Sequence, residues 1–229
     1  MHLVQAAGGP VGGDQLGLDV SVAAGRALRV CSAAATIAHP GPHGDAINWA
    51  VSAAVDAGAE LRWNPLPTVV VAGARYHCSF RADVAPDGLL VVREEIVLGR
   101  HGEPGGEYRG TLAVTVGDRP LIAHTTMLDG ADHDLSGPAG SGGHRVLGSM
   151  LVATAAAPPT GLPTAELVAD AGIQWSVLPL DGPGYLILAL ADTANTVRTV
   201  LDRCEALIPP IASAAPGPAG AECRRDGPD

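Results

Sequence analysis

A few short stretches of this chain hold residue types whose spacing could support chemistry. Gly8 to Asp14, GGPVGGD, sets two glycine pairs around a proline and ends on a carboxylate. No lysine and Ser/Thr follow Gly13, and the next residues alternate like a strand instead of opening a helix, so a phosphate loop is not indicated. Gly8, Gly9, Gly12 and Gly13 suit a bend with positive φ angles. Asp14 then either caps backbone N–H groups of that bend or stands beside exposed backbone as a ligand. Glu94 and Glu95 sit side by side in the apolar run LLVVREEIVL. In a strand they must face opposite ways, and the inward one needs a cation (Arg93, Arg100 and Arg109 are the candidates) or a wet passage. His39 and His43 in HPGPHGD are kept off a shared helical face by Pro40 and Pro42, though a loop could still bring them together. Asp129, Asp132, His133 and Asp134 could hold a divalent ion loosely, but their spacing fits neither a calcium loop nor a zinc site. For both groups a solvated loop is the plainer reading. AGSGG at 139–143 approaches a nucleophile elbow around Ser141, with His144 nearby. Its first glycine is replaced by alanine, however, and the setting is a polar loop.

The elements that must position these residues are mostly strands. Leu16, Leu18, Val20 and Val22 alternate with Gln15, Gly17, Asp19 and Ser21, the period of a strand with one buried face. The same period recurs around Leu28 to Ile37, Ile47 to Val55, Leu61 and Trp63, Thr68 to Ala72, Tyr76 to Val84, Leu89 to Leu98 and Tyr108 to Val116. It appears again in PLIAHTTML, IQWSVLP and YLILALA. Tight turns such as Asp56-Ala57-Gly58 and Ala85-Pro86-Asp87-Gly88 fall between them, every ~8–12 residues, as in all-β folds. The expectation is mainly antiparallel or mixed sheet, as a sandwich or as stacked β-helix-like layers. One or two short helices belong near the C-terminus. Residues Thr164 to Ala171 are one candidate. The other has Val197, Val200, Leu201, Cys204, Leu207 and Ile208 at helical spacing, with Asp192 or Thr193 as N-cap and Pro209-Pro210 as stop. Its outer face, with Arg198, Asp202, Arg203 and Glu205, reads as solvent surface.

A chain of 229 residues with 47% apolar and 17% charged residues can bury one sizeable core. A single β domain over 1–210 is expected, followed by a disordered tail over 211–229, which lacks periodicity. The net charge is -10 and no Lys/Arg stripe is present, which argues against a nucleic-acid groove. All fourteen cations are arginine, so mechanisms that need a lysine are excluded. Cys31, Cys78, Cys204 and Cys223 form no C-x-x-C pair, which suits a reducing cytosol better than a zinc knuckle or a disulfide framework. With no signal-like start and no run of 18 apolar residues, the expectation is a soluble cytoplasmic protein without a membrane partner.

In order and spacing, GGPVGGD, ELRWNPLPTVVVAGAR, EEIVLGR followed by GEYRG, and HTTMLDG resemble the urease accessory protein family UreD, also called UreH. The resemblance runs from about Leu3 to Gly130 and returns in YLILALADTANTVRTVLDRCEALIP. It implies a non-catalytic chaperone-like scaffold of stacked β-sheets that assembles with UreF and the GTPase UreG and docks on apo-urease. In that role it passes Ni(II) through an internal tunnel to an active site whose lysine is carbamylated. No tightly bound cofactor is implied, only nickel in transit. By the same resemblance Gly12, Gly13 and Asp14 fall on the family's GGD motif and Glu94 on the glutamate six places before the arginine of LGR. Arg100 and Glu107 take the LGR and GE positions, and Gly110 the glycine that follows. Asp14 and Glu94 are thereby expected on or near a metal path, where one or two oxygens at a time let an ion exchange. Where many members carry Thr-Lys, this chain has Thr36-Ile37. Two competing readings are a β-sandwich hydrolase using Ser141 and His144, and a stand-alone metal-buffering protein relying on its eight histidines and acidic loop.

Overall fold

The computed structural model describes residues 1–6, 8–160, 162, 168–170, 172–211 and 215–216. Its strands are β1 (His2–Leu3), β2 (Gln15–Val22), β3 (Arg26–Ser32), β4 (Thr36–Ala38), β5 (Ile47–Val55), β6 (Glu60–Asn64), β7 (Thr68–Val70) and β8 (Arg75–Val84). They continue with β9 (Leu89–Leu98), β10 (Glu107–Val116), β11 (Arg119–Asp129), β12 (Val146–Ala153), β13 (Val168–Asp170), β14 (Ile173–Pro179) and β15 (Gly184–Ala191). Helix α1 (Ala194–Ala206) and the short β16 (Ala215–Pro216) complete the described elements.

The strands form two stacked sheets. One runs β11-β10-β8-β5-β2, the other β1-β3-β6-β9-β12-β15-β14-β13. In the first half of the chain each tight turn leads from one sheet into the other, so β2, β5, β8 and β10 stack in parallel, as do β3, β6 and β9. The turns stack with them. The amide of Asp56 donates to Val22, that of Ala85 to Val55 and that of Gly117 to Val84. The architecture is that of a β-solenoid, the stacked β-helix-like alternative with mixed pairing. A turn at the corner of a coil carries the same glycine and aspartate chemistry as a hairpin turn, but it delivers the chain to the opposite layer. Antiparallel pairing enters with β11 and with the run β9-β12-β15-β14-β13.

Alternation decides what lies between the layers. Val51, Phe80, Ala82 and Val114 from one sheet meet Val30, Leu61, Trp63, Val92, Leu151 and Leu186 from the other. Trp63 and Phe80 are in tilted contact with ring centroids 5.6 Å apart, an arrangement that adds to their burial. A second apolar cluster lies on the far face of the larger sheet. There Val197, Leu201, Cys204 and Ile208 of the α1 region cover Val146, Met150, Ile187 and Ala189. Thr193 caps the helix, its hydroxyl accepting from the Thr196 amide. Gly148 lets the helix come close, because a Cβ there would run into Val197.

Two readings of the C-terminal third change. The candidate helix over Thr164 to Ala171 is not formed at Val168–Asp170, which pairs with β14, and 164–167 and 171 lie outside the described residues. The polar side of α1 is not plain solvent surface either. Arg198 and Glu205 are buried against the sheet, Asp202 is turned toward it, and only Arg203 of the four is exposed. The expected disordered tail falls mostly outside the described residues. Within it, Ala215–Pro216 runs parallel to β3.

Candidate functional site

The larger sheet has a built-in break. β9 is continuous, but β6 pairs with its first part and β7 with its last, and Pro65-Leu66-Pro67 separates those two partners. Proline has no N–H to donate to a ladder, so the segment cannot pair with Arg93-Glu94-Glu95. Beside this break a cavity of about 680 Å³ lies between the sheets. In the smaller sheet Leu16, Trp49, Cys78, Gly110 and Thr126 stand in register, one from each strand, and all five line it. The cavity therefore crosses the sheet from the β2 edge to the β11 edge. At one end its lining residues Val4, Leu16 and Ile37 are exposed, and at the other so is His124.

Glu94 lines the middle of this space. Cys78 Sγ donates to its Oε1 at 2.8 Å, and the Tyr108 hydroxyl donates to its Oε2. Cys78 Sγ is also 3.7 Å from the Tyr108 oxygen, and the Tyr108 and Tyr76 rings stack with centroids 6.4 Å apart. Burial pushes the Glu94 carboxyl above its ordinary range, while the hydrogen bonds from Cys78 and Tyr108 pull the other way. Burial, reinforced by the nearby carboxylate, holds the Cys78 thiol and the Tyr108 phenol well above theirs. None of the candidate arginines is its partner: Arg93 turns to Glu95 and Arg100 to Glu103. Among the described residues no salt bridge reaches Glu94. Gly110 completes the seat: a Cβ there would fall on the Tyr108 hydroxyl and come within 3.2 Å of Glu94 Oε2.

Glu95 faces the other way, as alternation demands, and is buried where Glu94 is only half-buried. Arg93 Nη2 donates to Glu95 Oε1 at 2.8 Å, and its Nη1 meets Asp202 at 2.7 Å and Glu205 at 3.1 Å. Arg198 Nη2 also reaches Glu95, at 3.1 Å. Arg62 joins Glu60 at 2.5 Å and Glu205 at 3.5 Å, and Arg29 reaches Glu205 at 2.9 Å. The network lies on the side of β9 opposite Glu94 and ties α1 to the larger sheet.

The other motif positions act on backbone. Asp14 is exposed and does not line the cavity; its Oδ2 accepts from the Val11 amide at 2.9 Å. Gly12 has no room for a Cβ, since the backbone of Gly41 and Asp45 presses on it, and Gly13 has φ +98°. The GGD bend thus packs on the His39 loop, and Gly8, Gly9, Pro10 and His39 form one rim of the cavity. Arg100 pairs with Glu103 at 3.0 Å on the surface. Glu107 pairs with Arg75 at 2.9 Å and His77 at 3.2 Å on the outer face of β10. His43 is exposed and apart from the cavity lining. Asp132 caps the Asp134 amide at 2.9 Å, and Asp132, His133 and Asp134 are all exposed. Among the described residues no group of three or more His, Cys, Asp or Glu could hold a metal ion.

Ser141 is buried in the loop before β12, and His144 Nδ1 is 2.9 Å from Asp192. A serine nucleophile needs its hydroxyl bonded to the base and a strand-to-helix elbow to present it. Among the described residues no hydrogen bond joins the Ser141 hydroxyl to the His144 ring, and the loop leads into a strand. Incubation with a serine-directed fluorophosphonate should therefore leave the protein unlabelled by intact-mass measurement, whereas stoichiometric labelling at Ser141 would restore the hydrolase reading.

A solenoid-like pair of sheets around an edge-to-edge cavity defines a β scaffold that carries a half-buried carboxylate set among neutral donors. The family model described as UreD urease accessory protein matches residues 1–220, and the chain belongs to that family. It is 40% identical over 222 residues to the urease accessory protein UreD of Parafrankia sp. (strain EAN1pec), covering 88% of this chain and 73% of that protein. With UreD of Frankia alni it shares 41% identity over 216 residues, 86% of this chain and 70% of the relative. With UreD 2 of Saccharopolyspora erythraea it shares 40% over 205 residues, 87% and 71%. Among the described residues no helix is long and apolar enough to cross a membrane.

Proposed function

We propose that the chain is a cytoplasmic, non-catalytic scaffold and nickel conduit. It assembles with UreF and UreG on apo-urease, where GTP-dependent delivery of Ni(II) matures the active site. The observation that carries this reading is Glu94, a carboxylate inside an otherwise largely apolar cavity, with no arginine among its partners in the described residues. A carboxylate desolvated in this way and without a cation is costly unless it stays neutral or a cation visits it. An ion crossing between the sheets would meet one acidic side chain, enough to attract it and too few ligands to trap it. Asp14 serves the same passage indirectly, by shaping the bend that forms its rim. A stand-alone metal buffer would need convergent ligands, which His39, His43 and the 132–134 loop do not supply.

Co-expression with UreF and UreG should yield a complex that purifies together. Deleting the gene should leave urease protein present but nickel-poor and inactive, read by metal analysis of the purified urease. Normal nickel content and activity after deletion would overturn the assignment.

A further inference from the structure

We propose that Cys78 and Glu94 together ligate a thiophilic divalent cation inside the cavity, through one sulfur and one oxygen, with Tyr108 as the positioning residue. The choice of Ni(II) as the cargo rests on the conduit reading above; the ligation itself rests on geometry.

The two ligand atoms already face each other, with Cys78 Sγ 2.8 Å from Glu94 Oε1. Bond lengths of about 2.3 Å to sulfur and about 2.1 Å to oxygen, at a near-tetrahedral angle, place such atoms roughly 3.6 Å apart. A cation entering between them therefore needs the pair to open by less than about 1 Å. Tyr108 makes that opening directional. Its hydroxyl donates to the other carboxylate oxygen, Oε2, and so leaves Oε1 to turn toward the metal. Gly110 keeps space free beside both groups. Other lining residues, Ser149, His124 and Thr126, bring further polar groups to the same cavity.

Proton balance is simple. The Cys78 thiol loses its proton as the metal–sulfur bond forms, the carboxylate binds as the anion, and any proton held on Glu94 leaves with the first. No electrons move. The thiolate and carboxylate carry two negative charges that match a divalent ion, and this provides the compensation Glu94 lacks in the metal-free protein. Sulfur also confers selectivity: a thiolate favours Ni(II) and other late first-row ions over Mg(II) and Ca(II), which abundant oxygen ligands would not do.

The test uses the full chain and Ni(II) alone, without urease. Addition of Ni(II) should produce a near-ultraviolet sulfur-to-nickel charge-transfer band that excess Mg(II) does not suppress. Cys78→Ser and Cys78→Ala should abolish the band, whereas Cys31→Ser, Cys204→Ser and Cys223→Ser should keep it. Glu94→Gln and Tyr108→Phe should keep the sulfur bond but weaken Ni(II) binding by about tenfold or more, the effect expected on losing a ligand or the group that orients it. Nickel K-edge absorption of the parent protein supplies a readout that no folding defect can obscure. One sulfur at about 2.3 Å supports the proposal, and an all-nitrogen and oxygen shell overturns it. A band that survives Cys78→Ser in a folded variant overturns it equally. If the band behaves as expected but deleting the gene leaves urease with normal nickel content, the pair binds metal and the conduit reading is the one that fails.

Discussion

Arg93→Met loses about 3–5 kcal/mol of stability, the cost of removing one member of a buried ion-pair network and leaving its partners uncompensated. Four arginines (Arg29, Arg62, Arg93 and Arg198) face four carboxylates (Glu60, Glu95, Asp202 and Glu205), so the network is neutral as built. Arg93 is its centre, with a fully buried side chain that touches three of the four acids. Burial lowers the pKa of its guanidinium, and Glu95, Asp202 and Glu205 more than offset that, so it stands above its ordinary value and stays charged. Without it, Glu95 lies buried with Arg198 as its remaining cation. Against a typical total of about 5–15 kcal/mol, such a loss is a large fraction. Urea titration should show a midpoint shifted far down, and proteolysis should release α1 first, because the network joins that helix to β9 and β6.

The pH dependence supplies a second check. In Arg93→Met, burial without the arginine leaves the folded-state pKa of Glu95 raised, so the folded protein binds a proton that the unfolded chain gives up. Stability of the variant then rises as pH falls through that raised pKa and drops as pH increases. Replacing Glu95 as well, in Arg93→Met/Glu95→Met, should recover much of the loss, because an apolar pair of similar volume often does as well as a buried ion pair. A parent-like midpoint for the single variant would mean that the network contributes nothing to holding the helix.

Much of this was legible along individual strands and little of it between them. Period-two alternation correctly turned Tyr76, Cys78 and Phe80 to one face, and Tyr108, Gly110 and Leu112 likewise, because side-chain direction is local. It also required Glu94 and Glu95 to face opposite ways. That Cys78, Tyr108 and Glu94 meet was not legible, since they come from strands in two layers and only the stacking of coils sets their register. The same limit hid the network. The apolar spacing of α1 identified its helix and cap, but Arg198, Asp202 and Glu205 look like solvent-facing charges until β6 and β9 place Arg62, Arg93 and Glu95 opposite them. Asp14 illustrates the reverse case. Its residue type suited a ligand or a cap, and the cap is what the backbone of Val11 makes of it.

Gly110→Ala tests the cavity's chemistry through a residue that carries no chemistry of its own. Gly110 has no positive φ to protect, so the cost is one of space alone. The new methyl would occupy the position of the Tyr108 hydroxyl, and overpacking of this kind costs about 1–3 kcal/mol. If the tyrosine swings away to make room, Glu94 loses a hydrogen bond inside the protein, at about 1–3 kcal/mol more. The expected result is a lowered thermal midpoint together with Ni(II) binding weakened to the level of Tyr108→Phe, even though no ligand has been altered. Combining the two substitutions separates this explanation from a general loss of fold. Tyr108→Phe removes the oxygen that the methyl strikes, so the double variant should be less destabilised than the sum of the singles by at least about 0.5 kcal/mol, as contacting residues are. Strict additivity would show that Gly110 and Tyr108 do not compete for that space, and the seat described for Glu94 would then have to be redrawn.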